Sequence, residues 1–542
     1  MRRASPCIAF ALAVLTLAMA RAFAGPPQAR PASLDGLWGD LGDGNYANPI
    51  IPADFSDIDA IRVGEDYFAI SSTFQYSPGV VILRSKDLVN WQIIGHAVSD
   101  ITQIGPEMNW DVMNRAGKGI WAGAIRYHGG KFWIYFGTPD EGFFVTTAKE
   151  ATGPWSPLHH VMKAKGWDDC CPFWDDDGQG YFVATNFAEG YKIHLFKLSA
   201  DGESLQERYD KVIYSSKGSE ANKLYKINGM YYHYFSEVHG GHRDAMMRRA
   251  KSLDGPWETK QLNQVDKAID REPNQGGLIQ LPLGDWWFLT HQGTAAWEGR
   301  TLTLLPVTWV DGWPIIGRVD SDGIGSMVWK AGKPIPGAAP LPLLTDDEFA
   351  GPALLPQWEW NYQPRSEKWS LSERPGFLRL HSFKPIRADD LATVGNLLTQ
   401  RSMRTSDNTA TLKLDLTGMK DGDTAGLCHF AQAFAAVEVH QSGQNRQLRF
   451  ATRGKTIPGT VIETSDLWLC STWNNQGIST FSYSQDGKQF TNLGEPYQLI
   501  WKSYRGDRIG IFIYNNNVDG GYIDADWFHY SFKEPRSAVG LK

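Results

Sequence analysis

One pattern recurs five times between residues 56 and 291 of this 542-residue chain, and it leaves few folds open. A short strand runs into a Gly-containing turn, and an aromatic pair opens the strand that follows. The copies are SDIDAIRVGEDYFAIS (56–71), WAGAIRYHGGKFWIYF (121–136), DDCCPFWDDDGQGYFVAT (168–185), SEANKLYKINGMYYHYF (219–235) and NQGGLIQLPLGDWWFLTH (274–291). Their aromatic pairs are Tyr67-Phe68, Phe132-Trp133, Tyr181-Phe182, Tyr231-Tyr232 and Trp286-Trp287, with first members 65, 49, 50 and 55 residues apart. A Gly turn between apolar or aromatic runs signals a hairpin. About 50 residues per unit is the length of a four-stranded propeller blade. A second recurrence, RSKDLVNW (84–91), TAKEATGPW (147–155) and RAKSLDGPW (249–257), reads as the outer part of a blade. The pattern predicts an all-β chain in which residues 45–330 close a five-bladed β-propeller.

Residues 331–344 are rich in Pro, Gly and Ala without periodicity and read as a linker. Beyond them, in 345–542, segments such as FLRLHS, NTATLKLDL, FAAVEVH and YIDADWFHYSF alternate with period two between turn residues, the pattern of a β-sandwich. Ahead of the propeller, residues 1–24 read as a signal peptide: Arg2 and Arg3, an apolar run from Cys7 to Ala20, and the cleavage triplet Ala22-Phe23-Ala24. A segment at 25–44 then leads into the first blade. No later stretch reaches 18 apolar residues, so a soluble, exported protein is expected, in the periplasm or the medium.

A net charge of −7 and a pI near 6.0 argue against nucleic-acid or anionic-membrane partners and suit a neutral ligand. Abundant Trp, Tyr and Phe fit both β-rich cores and stacking on sugar faces. Four cysteines remain after the leader: Cys170, Cys171, Cys428 and Cys470. Adjacent Cα atoms lie about 3.8 Å apart, short of the roughly 4.4–6.8 Å span of a disulfide. Cys170 and Cys171 are therefore expected as packing thiols, while Cys428 and Cys470 are free to pair or not.

The repeat also places acids. Counting 10–12 positions back from the first aromatic of each pair gives Asp57, Asp169 and Glu220 in the first, third and fourth copies, and Trp121 and Gln275 in the second and fifth. Equivalent positions of a propeller converge on one ring around its axis, so three carboxyls, an aromatic and an amide are aimed at one hollow. Crowded carboxylates are costly unless chemistry uses them. Glycoside hydrolysis does, with one carboxyl protonated to donate to the leaving oxygen and another ionised to activate water.

These strings resemble glycoside hydrolase family 43, the β-xylosidase and α-L-arabinofuranosidase group. NPIIPADFSDIDAIRVGEDYFAISSTFQYSPGVVILRSKDLVNW looks like its first blade and GIWAGAIRYHGGKFWIYF like its second. DDCCPFWDDDG, SEANKLYKINGMYY and GRTLTLLPVTWVDGWPIIG resemble later signatures. DEFAGPALLPQWEWNY, WSLSERPGFLRL and LLTQR look like the concanavalin A-like sandwich attached to xylosidase-type members. The resemblance implies an inverting mechanism with Asp57 as general base, Asp169 tuning pKa and orienting substrate, and Glu220 as general acid. It implies that Arg300 binds substrate and that His291 near the axis supports a calcium or water site. Phe74 and Trp121 are expected to form the sugar-stacking wall. No cofactor is required; a structural calcium is conceivable at His291, or in the sandwich where Glu348 and Asp526 lie in the first and last segments. The sequence departs from the family in Ile58 after Asp57, Cys170 after Asp169 and Ala221-Asn222 after Glu220, which leaves Asp59 and Asp168 as competitors in register. Asp175, Asp176 and Asp177 before Gly178 read as turn residues.

The reading is an exo-acting hydrolase releasing pentose units from xylan- or arabinoxylan-type oligosaccharides or polysaccharides, β-xylosidase before α-L-arabinofuranosidase. Two rivals differ in class. A retaining fructosidase would need an Asn-Asp-Pro-Asn-Gly-like first blade, and none occurs. A non-catalytic glycan-binding protein is at odds with three acids in register. The sequence leaves the oligomeric state open.

Overall fold

A computed structural model describes residues 37–264, 273–293 and 296–534. The signal-peptide reading falls on residues outside that description. Among the described residues, no helix is long and apolar enough to cross a membrane.

The aromatic-pair hairpins open five sheets, each built on four antiparallel strands taken in chain order; the fourth also carries the short strands Gly325–Ser326 and Arg318–Val319 at its edge, and the fifth also carries Ile51–Asp54. The innermost strands are Asp59–Val63, Gly123–His128, Trp167–Trp174, Glu220–Ile227 and Asn274–Gln280. Each of these touches the one before and the one after, and the fifth touches the first, so the sheets close a ring. Local chemistry sets the hairpins. Between Ile227 and Met230, which pair directly, Asn228 and Gly229 take φ of 51° and 76°, the left-handed conformation that a two-residue Asn-Gly turn supplies cheaply. Closure is made by strand Ile51–Asp54, which pairs with Arg300–Val310 of the last sheet.

The C-terminal domain is two stacked sheets. One contains the alternating strand Asn408–Asp415, whose buried residues Ala410, Leu412 and Leu414 face the other sheet's Ala425, Leu427 and Ile511 in one apolar core.

Residues 331–344, read from composition as the linker, follow a defined course between the two domains. Ala331 lies on strand Lys330–Gly332, which pairs with Asn45–Ala47. Lys333 is buried, with its ammonium against Asp40 at 2.5 Å and Asp87 at 2.9 Å. The Leu341 N–H donates to Asn90 Oδ1. Proline and glycine here shape a docked strap, because the two domains share a core. Phe55, Leu83 and Trp91 of the propeller join Trp358, Trp360 and Met403 of the sandwich in one apolar cluster. The first sheet even lends a strand: Tyr76–Ser77 pairs with Glu359–Asn361. Beneath this seam, buried Glu359 receives Arg401 at 3.0 Å, His96 at 3.0 Å and Arg508. These cations outweigh the effect of burial and hold its carboxyl well below the usual range.

The four cysteines among the described residues are buried free thiols, so Cys428 and Cys470 do not pair. Cys171 Sγ accepts from Arg126 Nη2 at 2.8 Å.

Candidate active site

A local backbone device aims the acids. Asp168 pairs with Thr185 and Cys171 with Val183, so three steps on the inner strand face two on its partner. The same extra residue recurs between Glu220 and Lys223, and between Asn274 and Gly277. The bulged residues Asp169, Ala221 and Gln275 have φ of 54°, 68° and 60°, and Asp57 in the first sheet has 56°. A left-handed non-glycine residue costs roughly 1–3 kcal/mol and persists where its surroundings dictate it. The bulge breaks the in-out alternation of a strand, so that neighbours such as Asp168 and Asp169 both reach one cavity. It also corrects the repeat arithmetic. Asp57, Asp169 and Gln275 share one position, whereas Glu220 sits one residue earlier, level with Asp168 and Asn274.

The result is a cavity of about 350 Å³ at the ring's axis, lined by Asp57, Asp169, Glu220, Phe74, Trp121, Gln275 and Arg300, all expected from the sequence. Asp57 Oδ1 accepts from Arg300 Nη1 at 2.8 Å, and Oδ2 from the Ser72 hydroxyl at 2.7 Å. Burial pushes the Asp57 carboxyl up, but Arg300, the Ser72 hydroxyl and nearby Arg505 outweigh it and hold the group below its ordinary value. Asp169 Oδ2 accepts the Ala221 N–H at 2.7 Å and Oδ1 accepts Gln275 Nε2 at 2.5 Å. Burial and the neighbouring Glu220 charge push Asp169 up to about 7. Glu220 receives Arg243 Nη2 at 2.9 Å and Asn274 Nδ2 at 3.2 Å, with 22 % of its side chain exposed to the cavity mouth. Three carboxyls of one cavity thus sit in different environments, the arrangement that acid and base roles require.

The competitors separate cleanly. Asp59 lies outside the cavity, held by Arg126 Nη1 at 2.7 Å and the Ile125 N–H. Asp168 does line it, and burial and the charge of Asp169 push its carboxyl well up. Asp175 accepts the Gly178 N–H through its carbonyl, as a turn residue does. Gln275 braces Asp169, giving one of its two amide N–H groups to Oδ1 while lining the cavity.

His291 Nδ1 accepts the N–H of Asp57, whose backbone is left-handed, at 2.7 Å. Among the described residues no three His, Cys, Asp or Glu side chains gather as a metal cage. Glu348 instead bonds His529 at 2.6 Å, and Asp526 pairs with Lys413 at 2.7 Å.

Five lining residues were missed: Thr185, Phe187, Tyr191, Arg243 and Tyr504. Tyr504 belongs to the sandwich. Its ring stacks on Phe74 at 6.3 Å and meets Trp121 edge-on at 5.9 Å, so the aromatic wall is built from both domains. Arg243 follows the Gly240-Gly241 turn of the fourth sheet; the Arg two strands from an acid is a signal readable only once the hairpin register is known.

Residues 46–314 match glycosyl hydrolases family 43, and residues 346–531 match the beta xylosidase C-terminal concanavalin A-like domain. A beta-xylosidase of Formosa agariphila is 36% identical over 93% of this chain and 93% of its own length. A non-reducing end alpha-L-arabinofuranosidase of Bacteroides ovatus is 30% identical over 80% of this chain and 83% of its own. A solved bifunctional family 43–carbohydrate esterase protein of Bacteroides eggerthii superposes with a TM-score of 0.79 at 29% identity, covering 90% of this chain and 64% of that one. With its ring of sheets, concanavalin A-like partner domain and carboxylate-lined axial cavity, the chain belongs to glycosyl hydrolase family 43 and is a hydrolase of O-glycosyl bonds.

Proposed function

We propose that this enzyme is an exported, inverting, exo-acting β-D-xylosidase that trims xylan-type oligosaccharides. The observation that carries the proposal is the division of labour among the cavity carboxyls: Asp57 held ionised by Arg300 and Ser72, and Asp169 pushed up to about 7 beside Glu220. Asp57 acts as general base on a water, which attacks the anomeric carbon from the face opposite the leaving group. Glu220 donates its proton to the departing glycosidic oxygen. Asp169, braced on Ala221 of the same strand as Glu220, positions that acid and the sugar. Inversion needs room for the water, so a base–acid separation of roughly 6.5–9.5 Å is expected. The Phe74–Trp121–Tyr504 wall supports exo action, because it closes one side of the cavity against a continuing chain. The chemistry needs no metal or organic cofactor.

The β-xylosidase reading draws on the Formosa relative, and α-L-arabinofuranosidase is kept as second reading because the Bacteroides ovatus relative bears that name. Rates on p-nitrophenyl β-D-xylopyranoside and p-nitrophenyl α-L-arabinofuranoside separate the two. Proton NMR of the first product tests the mechanism: α-xylose must appear before its β anomer, and β-xylose first would refute inversion. Glu220→Ala should cripple xylobiose turnover far more than turnover of aryl substrates with good leaving groups. Asp57→Ala should abolish both. Binding of aryl pentosides without turnover, left unchanged by Glu220→Ala, would favour a glycan-binding protein instead.

A further inference from the structure

Tyr504 reaches the cavity on a strained turn. Lys502 and Arg505 exchange two backbone hydrogen bonds of 3.0 Å, and the two residues between them, Ser503 and Tyr504, have φ of 54° and 63°. A two-residue turn of this kind is built for Asn and Gly; with Ser and Tyr it needs outside support. That support is concentrated on one buried carboxylate. Asp54, 2 % exposed, ends the strand that closes the ring. Its Oδ2 accepts the Gly506 N–H at 3.1 Å and forms an ion pair with the Arg505 guanidinium at 3.0 Å, both from the sandwich turn. Its Oδ1 takes the Arg300 N–H at 3.1 Å and the Ser56 hydroxyl at 2.9 Å, both beside Asp57. Arg505 carries the link onward by donating to the Ser72 carbonyl at 3.0 Å, and the Ser72 hydroxyl bonds Asp57. Space is equally tight: a Cβ on Gly506 would come within 2.5 Å of the Glu298 carbonyl, and one on Gly299 within 2.6 Å of Asp54.

We propose that Asp54 is a positioning residue that clamps the strained sandwich turn to the propeller, holding Tyr504 in the cavity while seating Arg300 and Ser56 beside Asp57. This rests on the catalytic reading of the cavity given above. One carboxylate divides its two oxygens between the two domains, so the aromatic wall and the base are set by the same group. Asp54→Asn keeps the size and one acceptor but removes the charge that faces Arg505.

The experiment is a double-mutant cycle in the full chain with p-nitrophenyl β-D-xylopyranoside, rates taken per folded enzyme. Asp54→Asn is expected to lower kcat/KM about 10–100-fold, with KM rising more than kcat falls, as when binding contacts are lost. Tyr504→Ala should give a loss of the same kind. Because the clamp acts through Tyr504, the double variant should fall little below Asp54→Asn alone, the non-additivity of coupled groups. An Asp54→Asn enzyme within twofold of the parent, or losses that multiply in the double variant, would overturn the proposal. If Asp54→Asn does not fold, Arg505→Met with Tyr504→Ala is read by the same criterion. Asp57→Ala in the same assay keeps the two readings apart. Multiplying losses with an inactive Asp57→Ala sink the clamp alone; an active Asp57→Ala sinks the site assignment and the clamp together.

Discussion

Arg300→Met is the sharpest probe of how this cavity prepares its base. The side chain is long enough to fill the same volume, so the change removes a cation and little else. Arg300 Nη1 lies 2.8 Å from Asp57 Oδ1, and the acid's side chain is only 8 % exposed. A hydrogen bond to a charged group is worth about 1.5–3 kcal/mol, and one pKa unit is 1.36 kcal/mol. Arg300 itself is 22 % exposed, so solvent screens part of its effect, and its loss raises the Asp57 pKa. The sign is fixed by the role. As the proposed base Asp57 works ionised, and its pKa is depressed in the folded enzyme, so activity is expected above that pKa and lost as pH falls through it. Without Arg300 burial acts with less opposition, and the acid limb of the kcat/KM profile moves to higher pH. The assay is kcat/KM on p-nitrophenyl β-D-xylopyranoside from pH 4 to 9, on a variant shown folded by its melting curve. Arg300→Lys should restore much of the acid limb, since it restores the charge, but less of kcat/KM, since an ammonium lacks the planar fork. A Met variant whose kcat/KM falls while its acid limb stays in place would refute the reasoning and leave Arg300 as a sugar ligand only.

The pH profile holds a second test: a carboxyl pushed up to about 7 titrates within the working range, so a limb near pH 7 should vanish in Asp169→Asn. Arg243→Ala frees Glu220 from its 2.9 Å ion pair and should cost at least tenfold in kcat on xylobiose, and less on aryl substrates with good leaving groups; equal losses on both would deny Arg243 a part in orienting the acid. Glu359→Gln strands Arg401 and Arg508 without their counter-charge, a loss of about 3–5 kcal/mol that should lower Tm by roughly 3–5 °C if the two domains unfold as one unit. Because the folded pKa of Glu359 is depressed, its contribution is full above the unfolded value of about 4.3 and is lost as pH falls through the folded value, so the Tm gap between parent and variant should close only under strong acid.

What could be read from the sequence, and what could not, divides along a physical line. Asp57, Asp169 and Trp121 were legible because each sits at a fixed offset from an aromatic pair, and repetition turns an offset into a position around an axis. Glu220 was found with the right neighbours but at the wrong equivalence, because a one-residue bulge shifts what faces the cavity without altering the hydrophobic pattern that counting depends on. Arg243 was hidden one step deeper, since its reach to Glu220 follows from hairpin register, not from spacing to the repeat. Asp54, Tyr504 and Arg505 were out of reach altogether. Asp54 stands some 450 residues before the turn it holds, and the string Lys502–Gly506 carries no Gly-Asn signal to mark a tight turn. The strap at 331–344 shows the same limit: Pro and Gly report what a backbone can do, while the buried Lys333 between Asp40 and Asp87 decides where it goes. A local pattern encodes the ring and aims its carboxyls. The aromatic wall is made where two domains meet, and that meeting is encoded in complementary surfaces rather than in any one stretch of chain. Substrate choice among relatives that share the three acids should therefore track the residues of this seam, Tyr504 first among them, more closely than any residue of the repeat.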